Sequence, residues 1–213
     1  MTNRVTGLIA FATVGLCLAG CKILPTPSGD AAEAGAFNPE AMAEELWTPR
    51  VLPYLRDKAG PLAEVQAAAK SDPAAAGATY GNPKKQASSP WTYAASVEGK
   101  IVAANTKSRA ATIDIDIDGD GAADARAQIG PAMRGTALRD SLDFINFNDF
   151  TNQIDFAQLG KALNTHADRT VLSTLPREDL EGRTVTLLGA YSANSGAELP
   201  LLTPAEAAIG PKP

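Results

Sequence analysis

The segment that most restricts the fold of this chain is residues 130–156, with the sequence GPAMRGTALRDSLDFINFNDFTNQIDF. It contains four of the six phenylalanines, together with Leu138, Leu142 and Ile145. Burying one side chain of this size stabilises a fold by about 1.5–3 kcal/mol, so a cluster of them rarely stays in water. We therefore expect this segment to seal the core of a folded domain.

Alternating isoleucines and aspartates precede this segment and predict a half-buried strand over residues 112–118. The sequence DGDG that ends this strand is typical of a hairpin turn, and residues 123–129 would form the return strand. Residues 91–102 predict one long strand or two, and residues 184–191 predict a final strand.

A helix is predicted between these strands, capped by Asn148 or Asp149 and running to about Ala167. Its buried face would carry Ile154, Phe156, Leu159 and Leu163. Three strands, a helix and at least one more strand form the element order of a five-stranded oligonucleotide/oligosaccharide-binding (OB) barrel, in which the helix closes one end. Residues 170–175 are a candidate for the remaining strand.

The part of the chain before the barrel predicts four short helices over residues 37–81, because prolines interrupt the apolar pattern repeatedly. The fold class is therefore α+β: a small N-terminal orthogonal helical domain, then an OB-like β-barrel domain with one long helix over residues 90–192. Four prolines in the last 14 residues favour a loosely ordered tail over residues 193–213.

The N-terminus predicts export and a membrane anchor. Residues 1–20 carry one arginine and then an apolar run too short to span a bilayer, as in a signal peptide. Leu18-Ala19-Gly20-Cys21 looks like a bacterial lipobox, so Cys21 would carry diacylglycerol and further acyl chains such as palmitate. The alternative is an ordinary signal peptide with a chance cysteine. Residues 21–36 would form a flexible tether to a membrane.

Charge and cysteine content exclude several functions. Without the signal peptide the chain has 18 basic and 24 acidic residues, a net charge of −6, so we expect no nucleic acid as a partner. With Cys17 removed and Cys21 used as the anchor, no thiol remains for catalysis or a disulfide. His166 is the single histidine, which is too few for a histidine-based metal site or a catalytic triad. We expect no enzymatic activity and no catalytic residues.

A candidate metal site lies in the predicted hairpin. Asp116, Asp118, Asp120 and Asp124 fit the spacing D-x-D-x-D-G-x-x-D, which can wrap oxygen ligands around a calcium ion. A full EF-hand loop starting at Asp114 would need Glu at position 125, where this chain has Ala. A solvated strand face followed by an Asp-Gly turn gives the same letters, so no cofactor is the leading expectation and calcium the alternative.

The second candidate site combines Arg134, Arg139, Asp140, Asn152 and Gln153. Guanidinium and amide groups of this kind can hydrogen-bond sugar hydroxyls or a carboxylate ligand. The competing interpretation is structural, with Arg139 paired to a nearby aspartate and the two amides satisfying backbone groups at a helix start.

Three segments carry a resemblance to a known family: residues 130–164, LEGRTVTLLGAY near the end, and ELWTPRVLPYL near the start. Over residues 21–192 the chain resembles the bacterial predicted periplasmic lipoproteins of domain-of-unknown-function family 2291. The resemblance implies a helical domain followed by a barrel, a location in the cell envelope facing the periplasm, and an accessory role beside sugar ABC transport systems.

Three functional hypotheses follow from the sequence. The first is a lipid-anchored, non-enzymatic binding or accessory protein, which predicts a groove holding Arg139, an aromatic ring and two amides. The second is a calcium-stabilised structural or interaction module. The third is a carbohydrate-active enzyme, which predicts two carboxylates facing one cleft at roughly 5–10 Å.

Overall fold

The computed structural model describes residues 37–193 and 199–212. The expected signal peptide over residues 1–20, the tether over residues 21–36 and the acylation site Cys21 lie outside the described residues. Among the helices of the described ranges, none is both long and apolar enough to cross a membrane.

Five strands form a closed barrel. The barrel strands are β2 Thr92–Asn105, β3 Thr112–Asp116, β4 Ala125–Gln128, β5 Thr184–Ser192 and β6 Leu201–Ile209, and a sixth, short strand is β1 Gly60–Pro61. The pairing order runs β2-β3-β4-β6-β5, and β5 pairs again with β2, which closes the sheet on itself. The short β1 adds to β2 in parallel. The predicted first strand, left open as one or two, is a single strand of 14 residues.

The last barrel strand corrects one expectation. A loosely ordered tail was expected over residues 193–213, but Leu201–Ile209 forms β6, which lies between β4 and β5. Pro204 cannot donate a ladder hydrogen bond, and it lies opposite Gly189 where the register shifts between Leu188 and Gly189. The irregularity accommodates the proline, so proline content alone gave the wrong prediction here.

The helices fall into two groups along the chain. They are α1 Pro39–Leu46, α2 Leu52–Lys58, α3 Leu62–Ser71, α4 Pro73–Tyr80, α5 Ala137–Asp140 and α6 Gln153–Thr170. Between α1 and α2, Trp47–Val51 forms a π-helical turn, so these elements follow one another without a gap. Prolines were expected to interrupt the helices here, but Pro49 does not end the helical run, because the wider turn accommodates a residue that cannot donate a helical hydrogen bond.

Two hydrophobic cores share the barrel wall. Alternate residues of β2 and β5, such as Val97 and Leu187, pack inside the barrel with Leu62 and Val65 of α3. The opposite faces of β2, β5 and β6 pack against α1, α2, α5 and α6. Residues from 37 onward consequently form one compact unit, and the boundary expected at residues 82–90 does not separate a helical domain from a barrel domain.

The phenylalanine-rich segment lies in the second core. Leu138, Leu142 and Ile145 are buried there, and Phe144 and Phe150 pack against them while partly exposed. The expected burial of this segment is confirmed, but it fills the space between helices and the outer barrel wall and does not plug the barrel interior.

The N-terminal cap of helix α6 is Asn152, four residues after the earliest predicted cap, Asn148. The Asn152 side chain accepts hydrogen bonds from the backbone amides of Ile154 and Asp155, and Asn146 and Asp149 form a capping box on a 3-10 turn before it. Ile154 was expected on the buried face but is 67% exposed. The candidate strand over residues 170–175 is wrong, because Leu172–Thr174 is a 3-10 turn.

Candidate functional site: a pocket beside the 82–90 loop

A concave site, here called the loop pocket, lies between the 82–90 loop, helix α5, residues 145–148 and the first turns of α6. Its cavity measures about 160 Å³. A cavity of about 150 Å³ is enough to hold one benzene-sized ring. The loop pocket can therefore accommodate a small molecule of one ring.

One wall of the loop pocket is an ion pair on α5. Arg139 donates from Nε and Nη2 to Oδ1 of Asp140 at 2.8 and 2.6 Å, and its side chain is almost fully buried. The Thr136 hydroxyl donates to the second oxygen of Asp140 at 2.6 Å. Both oxygens of Asp140 are thus held, which fixes the carboxylate as part of the wall.

Helix α6 approaches this ion pair closely because it carries Gly160 on the facing side. A methyl group at Gly160 would lie 2.8 Å from Cγ2 of Thr136 and 3.2 Å from Nη1 of Arg139. Such distances are too short for carbon contacts, so α5 and α6 could not pack as they do with a larger residue.

The opposite wall is the 82–90 loop, which is anchored at its start. The buried Asn82 donates from Nδ2 to the Leu142 carbonyl at 3.0 Å and accepts from the Lys84 amide at 2.8 Å. The Lys85 ammonium lies near the carbonyls of Gln86, Ala87 and Ser89 and 4.6 Å from the Trp91 ring centroid. Lys85 thereby holds the loop in one shape, because a single ammonium satisfies three carbonyls.

Aromatic rings and amides complete the loop pocket. Phe147 meets Phe156 edge to face with ring centroids 5.5 Å apart, and both line the cavity. The side-chain amides of Gln86 and Asn148 also line it and make no side-chain hydrogen bond within the described residues. An apolar ring face beside free donors and acceptors is suited to a ligand that has both a flat face and hydroxyl groups.

The residues of the second candidate site do not all lie together in the structure. Arg139 and Asp140 line the loop pocket, as the binding hypothesis required, and they also form the ion pair that the structural interpretation required. Arg134, Asn152 and Gln153 do not line it. Asn152 caps α6, and the backbone of Arg134 is held by Gln128.

Several lining residues escaped the sequence analysis, namely Asn82, Lys84, Lys85, Gln86 and Asn148. Four of them lie in the short segment between residues 37–81 and residues 90–192, the two ranges that were predicted as domains. The cluster of two lysines and two amides within residues 82–86 was the available signal, but it is also the ordinary composition of a surface loop.

The aspartate hairpin brings together three of its four predicted ligands. Carboxylate oxygens of Asp116, Asp118 and Asp120 lie within 4.8 Å of one another. Asp124 instead accepts a hydrogen bond from the Ile117 amide at 2.7 Å. The expected solvated acidic face is wrong for Asp116, which is buried and accepts from the amides of Gly119 and Gly121 at 2.7 and 2.9 Å.

Groups with displaced pKa values lie away from the loop pocket in the described part of the chain. Burial, with a smaller contribution from Asp143, raises the pKa of Tyr54 to about 12. Burial also raises the pKa of Tyr191 and lowers the pKa of His166, whose ring lies 4.8 Å from that of Trp47. These shifts arise from packing in the two cores.

The closed barrel places the protein in the OB-fold class, because its strand order matches that fold and α6 connects the third and fourth barrel strands. A crystal structure of an OB-fold protein from Thermotoga maritima MSB8 superposes with a TM-score of 0.62 at 18% identity, covering 82% of this chain and 99% of that chain. This likeness confirms the predicted fold class.

The chain belongs to the family described as Predicted periplasmic lipoprotein (DUF2291), whose model matches residues 11–207. The resemblance seen in the sequence is thus confirmed, and the protein is a periplasmic lipoprotein of the cell envelope. No curated protein sequence matches this chain.

Proposed function

We propose that this lipoprotein is a non-enzymatic binding protein, and that the loop pocket holds a small hydroxylated molecule such as a monosaccharide. The observation that carries the proposal is that the edge-to-face rings of Phe147 and Phe156 meet the side-chain amides of Gln86 and Asn148, which have no side-chain hydrogen-bond partner within the described residues. Protein sites for small polar ligands combine an apolar wall with a few convergent polar groups in this way.

The chemistry of the pocket wall supports binding over hydrolysis. Asp140 is the one carboxylate among the lining residues, and both of its oxygens are held by Arg139 and Thr136. Glycoside hydrolysis needs two carboxylates facing the scissile bond, one of them able to give a proton. A carboxylate fixed in an ion pair is poorly suited to that task.

A second candidate function is a calcium-stabilised module, favoured by the convergence of Asp116, Asp118 and Asp120. Extracellular calcium modules bind with dissociation constants of about 10⁻⁴–10⁻³ M. Two observations argue against this candidate. Both carboxylate oxygens of Asp116 accept hydrogen bonds from backbone amides, and the Asp124 carboxylate accepts one from the Ile117 amide.

We also propose that the protein is attached to a membrane and works beside a transport system. Acyl chains on Cys21 would hold the body at a membrane, since each buried methylene contributes about 0.8 kcal/mol. A small-molecule pocket held there suits an accessory protein of a sugar ABC transport system. Intact mass measurement of protein from its host would detect acylation, and Cys21→Ala should release the protein from the membrane fraction.

A thermal-shift screen tests the binding proposal. The mature lipoprotein in detergent is heated with a panel of monosaccharides, sugar acids, sugar phosphates and divalent cations. A ligand whose free concentration is 100 times its dissociation constant stabilises the folded state by about 2.7 kcal/mol, so a specific ligand should raise Tm clearly.

Paired variants localise any effect. The double substitution Gln86→Ala, Asn148→Ala should remove the rise in Tm, whereas Gln66→Ala on the exposed face of α3 should not. A panel that leaves Tm unchanged, or a rise that survives the double substitution, would contradict the assignment of the loop pocket.

A further inference from the structure

We infer that the ligand of the loop pocket is an anion, a single sugar-sized ring bearing a carboxylate or a phosphate. This inference rests on the proposed function and narrows it to a chemical class. It comes from the charges of the lining residues, which differ in sign from the rest of the protein.

The lining of the loop pocket is positive on an acidic protein. Lys84, Lys85 and Arg139 contribute three cationic groups to its walls, and Asp140 contributes one anionic group. The whole chain has 19 basic and 24 acidic residues. A concave site with one sign of charge raises the local concentration of ligands of the opposite sign.

The three cations are compensated to different degrees. Arg139 is neutralised by Asp140 at 2.6 Å, and this pair is largely buried. Lys84 lies 3.2 Å from Asp143, but its side chain is 61% exposed, and pairs with an exposed partner contribute little to stability. Lys84 can therefore turn toward a ligand at little cost.

Lys85 carries a charge that no carboxylate offsets within the described residues. Its ammonium is surrounded by neutral carbonyl groups and by the ring of Trp91. These groups satisfy its hydrogen bonds but leave its positive charge uncompensated within the loop that forms one wall of the pocket. An anionic group on the ligand would gain from this charge, whereas a neutral sugar would not.

The size of the cavity limits the rest of the ligand. At about 160 Å³ the loop pocket encloses about one ring. The amides of Gln86 and Asn148 can hydrogen-bond ring hydroxyls, and Lys84 and Lys85 line the same cavity. We therefore expect a monosaccharide acid or a monosaccharide phosphate.

Isothermal titration of the full mature lipoprotein in detergent tests the inference with three probes: glucose, glucuronate and glucose 6-phosphate. At least one of the two anions should bind about tenfold more tightly than glucose at low salt. The advantage should shrink as salt is added, because screening weakens exposed charge interactions. Comparing the two anions separates a carboxylate ligand from a phosphate ligand.

Substitutions at the two members of the Lys84–Asp143 pair should change the affinity for the anion in opposite directions. Lys84→Gln should weaken binding of the preferred anion about threefold, and Asp143→Asn should strengthen it by a similar factor, with glucose affinity unchanged in both. Lys212→Gln is the matched control, since the Lys212 side chain is about as exposed as that of Lys84 and pairs with Asp179 away from the loop pocket. Melting curves of each variant establish that it is folded.

The outcomes distinguish the two levels of the proposal. Equal binding of glucose and both anions would overturn the anion inference and leave the binding function standing. Binding of none of these sugars would overturn the anion inference, and the wider monosaccharide panel would then decide the binding function. An anion preference that Lys84→Gln and Lys212→Gln reduce equally would also overturn it, because the preference would then lie outside the loop pocket.

Discussion

The guanidinium carbon of Arg139 lies 3.7 Å from the ring centroid of Phe156, and Nη1 of the same arginine donates to the Phe156 carbonyl at 2.9 Å. One side chain therefore binds both the ring and the backbone of the first turns of α6 while it is paired with Asp140 on α5. This arrangement fixes the distance between the two helices that form the inner wall of the loop pocket.

Replacing Arg139 should destabilise the protein more than replacing an exposed arginine. Arg139→Gln would leave Asp140 without its charge partner, and breaking a buried pair costs about 3–5 kcal/mol. Because Asp140 is one third exposed, we expect a smaller loss of about 2 kcal/mol in the free energy of unfolding. Urea denaturation measures it.

Arg126→Gln provides the control for this substitution, since Arg126 pairs with Asp114 on the barrel surface at 2.5 Å. We expect a loss of no more than about 1 kcal/mol there. Equal losses at the two positions would show that the Arg139 pair has no special structural role.

Gly77→Ala should destabilise the fold although alanine is the better helix former. Exchanging a helical glycine for alanine ordinarily gains about 1 kcal/mol. At Gly77 in α4, however, the added methyl group would overlap the six-membered ring of Trp91. Overpacking of this kind costs about 1–3 kcal/mol, so the net effect in thermal denaturation should be a lower Tm.

The exposed Ala67→Gly in α3 tests whether helix propensity behaves normally elsewhere, and it should cost about 1 kcal/mol. A higher Tm for Gly77→Ala would mean that the Trp91 ring can move aside, and the packing described for α4 would be wrong.

Acid should destabilise the protein through His166. Burial is the main cause that lowers its pKa in the folded state, followed by repulsion from Arg169, while Glu44 acts in the opposite direction. Because the unfolded chain binds a proton at a higher pH than the folded chain, stability should fall as pH drops below about 6.5 and level off below the folded pKa.

His166→Phe keeps an aromatic ring against Trp47 but cannot titrate. Its unfolding free energy should therefore depend less on pH between about 6.5 and 5 than that of the natural protein. Parallel curves for the two proteins across this range would contradict the assigned direction of the pKa shift.

Asp116 should stabilise the aspartate hairpin even when calcium is absent. Asp116→Asn removes one of two charge-assisted acceptors for the amides of Gly119 and Gly121, and we expect a loss of about 2 kcal/mol in calcium-free buffer. The exposed Asp118→Asn should cost less than about 0.5 kcal/mol. A rise in the Tm of the natural protein at millimolar calcium, lost in Asp118→Asn, would favour the calcium-stabilised alternative.

The barrel could be predicted from the sequence because its strands follow simple local rules. Ile113 and Ile115 alternate with aspartates and are buried as expected, and the Asp-Gly turn has positive φ at Gly119 and Gly121. Strand β6 could not be predicted in this way. Pro204 looks like a strand breaker until Gly189 on the neighbouring strand is seen to accommodate it.

Only some residues of the candidate site could be predicted from the sequence. Arg139 and Asp140 stand in a dense run of charged and apolar residues, which marks them as partly buried. Gln86 and Asn148 carry no such signal, because their position beside the cavity follows from how the 82–90 loop packs on α5 and α6. Tertiary packing of this kind leaves no period in the sequence.

The most direct test of the central claim is a crystal structure of the mature lipoprotein with the sugar or sugar derivative that raises Tm most. We predict ligand density inside the loop pocket, with a ring face against Phe147 or Phe156 and hydroxyls within hydrogen-bond distance of Gln86 and Asn148. Density for the ligand on the barrel surface or at the aspartate hairpin, with the loop pocket filled only by water, would contradict the account.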